Sequence, residues 1–461
     1  MIYFLVLIGV YILHLLLKLN WIITGIICVY LLCAVPLHRK LFLQQKKQIT
    51  RYEDASMYID TLLYAFVKEK KVIRAFEDVV STLRDGEMKE VVKQALDHMI
   101  LTFDDSQILR NSMKIIEDRY PCDRIASIHR FMCHVEFFGG EVKTPVDLLL
   151  EDKNRWITRI DAAISERKKM FVEIVLSVLV SIVICGIILY LPVMNMDISN
   201  NWLVQILSAF IVVLDQIILY RGQKSLTVDW LRLDEMEDEE FYARKMQQYK
   251  EYDAKKDKRN SLLLSLIPAV VVVWCIFMQK EWFAAIALVI TAVCLNQHLI
   301  GRKLATKRLC KNISSAFPKW LLDIVLLLQS ENVQMALRKS IDMVPLVLKR
   351  ELEDLNARLE IDPESSVPYH LFLKDFDLPE IHSAVGMLYA LSIGNSSNAD
   401  KQIGELISRN LVIMDIADTE RLHNKNSGMY LLFLAPVLTA SFKLLIDMAV
   451  FLLTFLSTKV V

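Results

Sequence analysis

The chain has 461 residues, 54% of them hydrophobic and 23% charged, with as many Lys and Arg as Asp and Glu. The apolar share exceeds that of an ordinary soluble domain, and the excess sits in blocks too long for core helices. Without a basic run interleaved with aromatics the chain is not a nucleic-acid binder. Without GxxxxGK[ST], HExxH, GxSxG or CxxC it carries no recognisable catalytic motif, so no enzyme and no cofactor is expected.

Residues 1–37 are apolar apart from Lys18 and a few uncharged polar groups. One straight helix over Met1–Pro36 would measure roughly 54 Å, too long for a single crossing. A transmembrane hairpin turning at Lys18–Asn20 fits better. A signal peptide is not expected, since no basic start precedes the apolar run. Residues 38–168 are polar, and in Ser56–Leu83 apolar positions recur every three or four residues, the period of an amphipathic helix. Residues 169–220 hold two spans; Phe171–Val193 would run roughly 35 Å as a helix, enough to cross the hydrocarbon core.

Residues 221–259 have mixed charge and read as a helical linker. Residues 260–300 hold two further spans, over Ser261–Gln279 and Trp282–Ile300. Residues 301–427 repeat the helical period, most clearly in Phe317–Val344. Residues 428–461 are apolar with Lys443 in their middle; a second tight hairpin is expected, with one long tilted helix as the rival. Strand-like alternation is absent. The expected fold class is an all-α polytopic membrane protein of eight spans, with two homologous helical bundles of about 130 residues, each large enough for one domain.

Charge sets the orientation. Met196–Asn201 contains no Lys or Arg, whereas 38–168, 221–259 and 301–427 are rich in both. Lys/Arg-rich segments stay on the cytoplasmic side, and crossing every span in order places all three there. The eight cysteines, five of them in apolar blocks, show no paired spacing, so free thiols are expected.

The two halves share one order: apolar hairpin, polar helical domain, further spans. Gly139–Gly140 end an apolar run in the first half, as Gly394 does in the second. The distance from Gly140 to Glu166 equals that from Gly394 to Glu420, so Glu166–Arg167 correspond to Glu420–Arg421. Such self-similarity points to duplication or fusion. Each glycine is expected to close a helix in the left-handed backbone region. Asn395, Ser396 and Ser397 would cap the next helix of the second half; in the first, Thr144 would cap with Pro145 at the first helical position.

The second domain resembles the type II secretion system F family, and within it the Tad-type platform proteins. The resemblance rests on an ordered set: Pro318, the apolar Leu321–Leu328, Ala336–Leu337, Glu351–Leu352 and Gly394–Ser396, over about 110 residues beside membrane hairpins. It repeats less clearly in the first half, as if two platform halves were fused. The resemblance implies a scaffold in the cell membrane that couples a cytosolic hexameric ATPase to pilin or pseudopilin subunits, and a homo-oligomer is expected.

Three sets of residues are candidates for function. Lys349, Arg350, Glu351 and Asp354 lie on a charged helix face that would meet a partner, with expected intrahelical pairs Lys349–Glu353 and Arg350–Asp354. Glu166, Arg167, Glu420 and Arg421 immediately precede spans and would set a domain contact. Asp215, Lys443 and Asp447 are charges within apolar blocks, where each costs about 2.5–3.5 kcal/mol at a span centre and faces a partner. Asp215 is expected near the end of its span, in reach of interfacial water. Lys443 and Asp447 would pair on a continuous helix or mark a hairpin tip. This third set also supports a rival reading, a transporter with a polar path through the bilayer. His129, Cys133 and His134 in "HRFMCH" have the chemistry of zinc ligands, but no second ligand pair lies nearby in sequence, so no metal is expected.

Overall fold

The computed structural model describes every residue except 1, 102–105, 141, 191–198, 233–238, 251–253, 279–280, 329–330, 395–398 and 460–461. Among the described residues there are helices and turns but no strands. Five helices are long and apolar enough to cross a membrane: those over Trp21–Glu69, Lys143–Ile187, Trp202–Lys224, Asp257–Phe277 and Gly428–Leu456. Tyr3–Leu16 and Ala285–Leu295 are shorter apolar helices. The chain is thus an all-helical, multi-pass membrane protein.

It divides into two compact units, one of Met1–His129, Leu150–Asp234 and Thr419–Val461, the other of Arg130–Leu149 and Glu235–Asp418. Residues 130–149 leave the first bundle for the second unit, and the C-terminal span belongs to the first.

In the first unit, α1 (Ile2–Leu16) and α2 (Trp21–Glu69) reverse at Leu17–Asn20. Lys18 takes a left-handed φ of 43° there, and the Asn20 side chain accepts from the Ile22 amide to cap α2. α2 starts apolar, passes Pro36, and continues without a break into an amphipathic half that buries Tyr58, Ile59, Leu62, Leu63 and Phe66. α3 (Val72–Thr82) lays Val72, Ala75, Phe76 and Val79 against the core at the spacing of one helix face. α4 (Glu87–Leu101), α5 (Ser106–Arg119) and the start of α6 (Asp123–Phe138) complete the bundle.

α7 (Lys143–Tyr190) is tied into it by buried charges: Asp152 accepts from Arg124 Nε at 2.8 Å, and Lys153 Nζ reaches Asp60 at 2.6 Å. The helix then runs straight into its apolar half. α7 starts at Lys143, and Val142 supplies the carbonyl that takes the first helical bond, from Val146 at 3.1 Å. Thr144 therefore lies inside the first turn instead of capping it. Pro145 sits there at no cost, because first-turn amides have no intrahelical partner.

α8 (Trp202–Lys224) packs back against α7, and the part of α17 (Ala399–Lys459) from Thr419 onward completes the apolar part of this unit. The C-terminal hairpin is not formed: α17 continues unbroken through Pro436 and Lys443. The charge that suggested a turn is neutralised within the helix by its pairing with Asp447.

In the second unit, α9 (Glu239–Lys250) precedes an antiparallel apolar pair, α10 (Ala254–Phe277) and α11 (Glu281–Leu295), followed by α12 (Gln297–Leu327). α12 carries the core, with Phe317, Trp320 and Leu321 fully buried and the indole of Trp320 donating to Ser340 Oγ at 3.0 Å. α13 (Val333–Lys339), α14 (Leu346–Ile361), α15 (Val367–Leu371) and α16 (Pro379–Ile393) surround it. α9 is no free linker, because its Lys250 pairs with Glu351 of α14.

The two glycine breaks differ. Gly139 and Gly140 have φ of 73° and 125°, the region only glycine enters without strain. Gly394 has φ −71° and ψ 147°, an ordinary extended conformation, so its expected left-handed role is corrected. Asn395, Ser396 and Ser397 lie outside the described residues.

Candidate functional site: a charged cluster buried among apolar helices

α7, α8 and α17 pack in layers within the first unit. At one end Met170 and Ile174 meet Ile218 and Met429; in the middle Cys185 meets Ile211, Val212 and Ala440; at the other end Leu189 meets Val204 and Val450. These layers are apolar, as three mutually packed spans require. The exceptions fall between them.

α7 presents Ser177, Ser181 and Cys185 four residues apart on one face, small residues that let neighbouring helices approach closely. Ser177 Oγ donates to the Phe433 carbonyl of α17 at 2.7 Å, and Ser181 Oγ donates to Asp215 Oδ2 of α8 at 3.3 Å. Asp215 is only 2% exposed, so the expectation that it reaches interfacial water is corrected. Helix packing seals it, whatever its depth in the span.

On α17, Lys443 and Asp447 are fully buried and their Nζ and Oδ2 pair directly. Cys185 packs against Ile211 and Val212 of α8 and Ala440 of α17, about one helical turn before Asp215 and Lys443, with Asp447 a turn further, so the three charges lie on the helices that meet at this part of α7. Asp215 Oδ1 and Asp447 Oδ1 have no hydrogen-bond partner. One ammonium against two carboxylates leaves an excess acceptor capacity, in surroundings where an unsatisfied buried polar group is costly. Chemically the cluster can hold helices in one register, or bind a cation or proton.

A second polar lock sits at the end of α8. The Gln205 side-chain amide donates to the carbonyls of Lys18 and Ser199, each at 2.7 Å, and its Oε1 accepts from the Asn20 amide at 2.9 Å. That fixes the α1–α2 turn onto α8. Above it α1 and α7 touch closely: a Cβ on Gly186 would lie 2.6 Å from Leu16 Cδ2 and 2.9 Å from the Leu16 carbonyl oxygen.

The charged face of α14 is partly spent inside the second unit. Glu351 is buried on Lys250, and Asp354 lies 3.7 Å from the same ammonium, not beside Arg350 as expected. Lys349 is half-buried and Arg350 exposed, so of the four candidate contacts Arg350 is the most open to a partner. Arg167 is likewise structural: it is 3% exposed, donates to the Ser225 carbonyl at 2.9 Å and lies over the Trp230 ring at 5.3 Å. Glu166 and Glu420 face outward, and the side chain of Arg421 lies outside the described residues.

His129 is used inside the first unit, its Nε2 bonded to the Tyr58 hydroxyl and its Nδ1 to Glu117 Oε1, each at 2.8 Å. No group of three or more His, Cys, Asp and Glu among the described residues could hold a metal. The cysteines are all free thiols.

The reading of the sequence overlooked Ser181, Cys185, Gln205, Lys250 and Gly186. The four-residue spacing of small residues on α7 was the available signal for the first two. Gln205, Lys250 and Gly186 depend on contacts far apart in the chain and had none. Comparison with protein-family models, curated proteins and solved structures gives no match.

Proposed function

We propose that the chain is a non-enzymatic membrane platform of a type IV pilus-like, Tad-type or type II secretion machine. In this reading its polar bundles face the cytosol, where they receive movement from a hexameric ATPase. The spans pass that movement to pilin or pseudopilin subunits. The observation that supports it best is the form of α7 and α17. Each follows a glycine break, begins among polar helices and continues unbroken into an apolar span, over 48 and 61 residues. A continuous helix transmits displacement along its axis, whereas a hinged connection would absorb it. The buried cluster of Asp215, Lys443 and Asp447, with Ser181, would keep the attached spans moving together.

The test is crosslinking in cells, with cysteines introduced at the exposed positions Arg350, Glu405 and Ser408. Capture of a hexameric secretion ATPase is the expected result. Self-crosslinks alone, in cells whose secretion or pilus output is normal, would overturn the reading. The same cluster favours one rival, a transporter with its polar path through Asp215 and Lys443. That reading requires Asp215→Asn to abolish substrate flux while membrane assembly stays intact; the platform reading requires the variant to remain active.

A further inference from the structure

The second unit contains a polar cleft of about 430 Å³ where α9, α10 and α12 meet. Its walls follow helix faces. α9 supplies Lys245, Gln248 and Tyr249; α10 supplies Asp257, Asn260, Ser261 and Leu264; α12 supplies Gln297, Gly301 and Arg302. On α10 the four positions fall at i, i+3, i+4 and i+7, so one stripe passes from a carboxylate through amide and hydroxyl groups to leucine. On the same side of the helix Leu264, Ile267 and Val271, at i+7, i+10 and i+14 from Asp257, are apolar and exposed. The polar cleft therefore opens directly onto an apolar helix surface.

The charge of the cleft is positive. Lys245 and Arg302 outnumber Asp257, and Lys258, Arg259 and Lys303 stand exposed on the same two helices. Lys245 Nζ is 3.1 Å from Gln248 Oε1, and the Arg302 guanidinium lies 5.7 Å from the Tyr249 ring centroid, which keeps both cations at the rim. Gly301 adds no side chain, and a Cβ there would meet nothing within 4 Å, so the floor stays open.

We infer that this cleft binds the headgroup of an anionic phospholipid. The phosphate would meet Lys245 and Arg302, the glycerol and headgroup hydroxyls would meet Asn260, Ser261 and Gln297, and the acyl chains would lie along α10 past Leu264. A soluble anion would use the cations but not the apolar stripe, and the continuity of the two favours the lipid. Basic pockets at the base of apolar helices suit this recognition, each cation near the surface adding attraction to anionic lipid. The inference depends on the membrane reading of α10 and α11, not on the platform function.

The test uses the full chain in detergent, equilibrated with mixed phosphatidylglycerol and phosphatidylcholine and analysed by native mass spectrometry for lipid retained. Selective retention of phosphatidylglycerol is expected. In Lys245→Gln/Arg302→Gln that selectivity should fall on the order of tenfold, from the loss of two surface cations. Arg338→Gln, an exposed cation on α13, should leave it unchanged. Full selectivity in the double variant, or equal retention of phosphatidylcholine by the native chain, overturns the proposal. Displacement of phosphatidylglycerol by inorganic phosphate overturns it in favour of a soluble anion. Both cleft cations are exposed, so the fold should survive their replacement, which circular dichroism of the same samples would verify.

Discussion

Removing one partner of the Lys443–Asp447 pair should cost far more than removing both. Each group is fully buried, and the two bond to one another within α17. Lys443→Met keeps most of the side-chain volume but strands Asp447, whose second oxygen already has no partner. Breaking a buried pair from one side costs about 3–5 kcal/mol, because an uncompensated charge remains. Asp447→Leu strands the ammonium and should lose a similar amount. Replacing both by apolar groups of similar volume is neutral or stabilising by up to about 4 kcal/mol. The double variant Lys443→Met/Asp447→Leu should therefore recover nearly everything either single variant loses. Reversible unfolding in mixed micelles would give the complete cycle. If the double variant is as unstable as the singles, the pair is not what satisfies these charges, and the cluster is held together in another way.

Asp215→Asn keeps an acceptor for Ser181 and removes a buried charge whose other oxygen is unpaired, so stability should hold or rise, by about 1–3 kcal/mol where the penalty of that group is relieved; the same unfolding assay reads it. Gly186→Val should destabilise by about 1–3 kcal/mol, since the clash involves the Leu16 backbone oxygen as well as its side chain and α1 must shift. Gly139→Ala should cost about 1–2 kcal/mol because its φ is left-handed. Thermal unfolding of the variant should show that loss. His134 is held below its ordinary value near 6.5, first by burial and then by the Lys339 ammonium, with Glu331 opposing. Below that value the unfolded chain takes up the proton more readily than the folded one, so stability should fall as pH drops from 6.5. His134→Gln should flatten that slope in denaturant unfolding at pH 7.5 and 5.5.

Local features of the chain were legible where one residue decides one outcome. Lys18–Asn20 read as a turn because a polar break interrupts an apolar run, and the helices reverse there. The long apolar blocks read as membrane helices because length and hydropathy are sums over neighbours. Lys443 misled for the same reason: hydropathy counts a charge wherever it stands, and cannot register that Asp447 neutralises it one turn later. Gly394 misled because composition predicts which residues tolerate a left-handed backbone, not which positions need one. Glu351 read as part of an exposed charged face, yet Lys250 covers it from a distant part of the chain.

The correspondence expected between the two halves of the sequence gives no cue to how the charges gather. Both halves run through an apolar helix, a helical bundle, a glycine break and a long helix entering an apolar span. At the spacing that places Gly140 on Gly394, Lys443 falls on Leu189 and Asp447 on Val193, so α7 carries no counterpart of the pair. Reading either half against the other therefore marks these charges as irregularities. They gather only because α7, α8 and α17 pack together, with the small face of Ser177, Ser181 and Cys185 turned toward the two charged helices. The apolar layers between these helices need no charge to be buried. Burying these three charges is costly, and the pairing of Lys443 with Asp447 and of Asp215 with Ser181 offsets part of that cost.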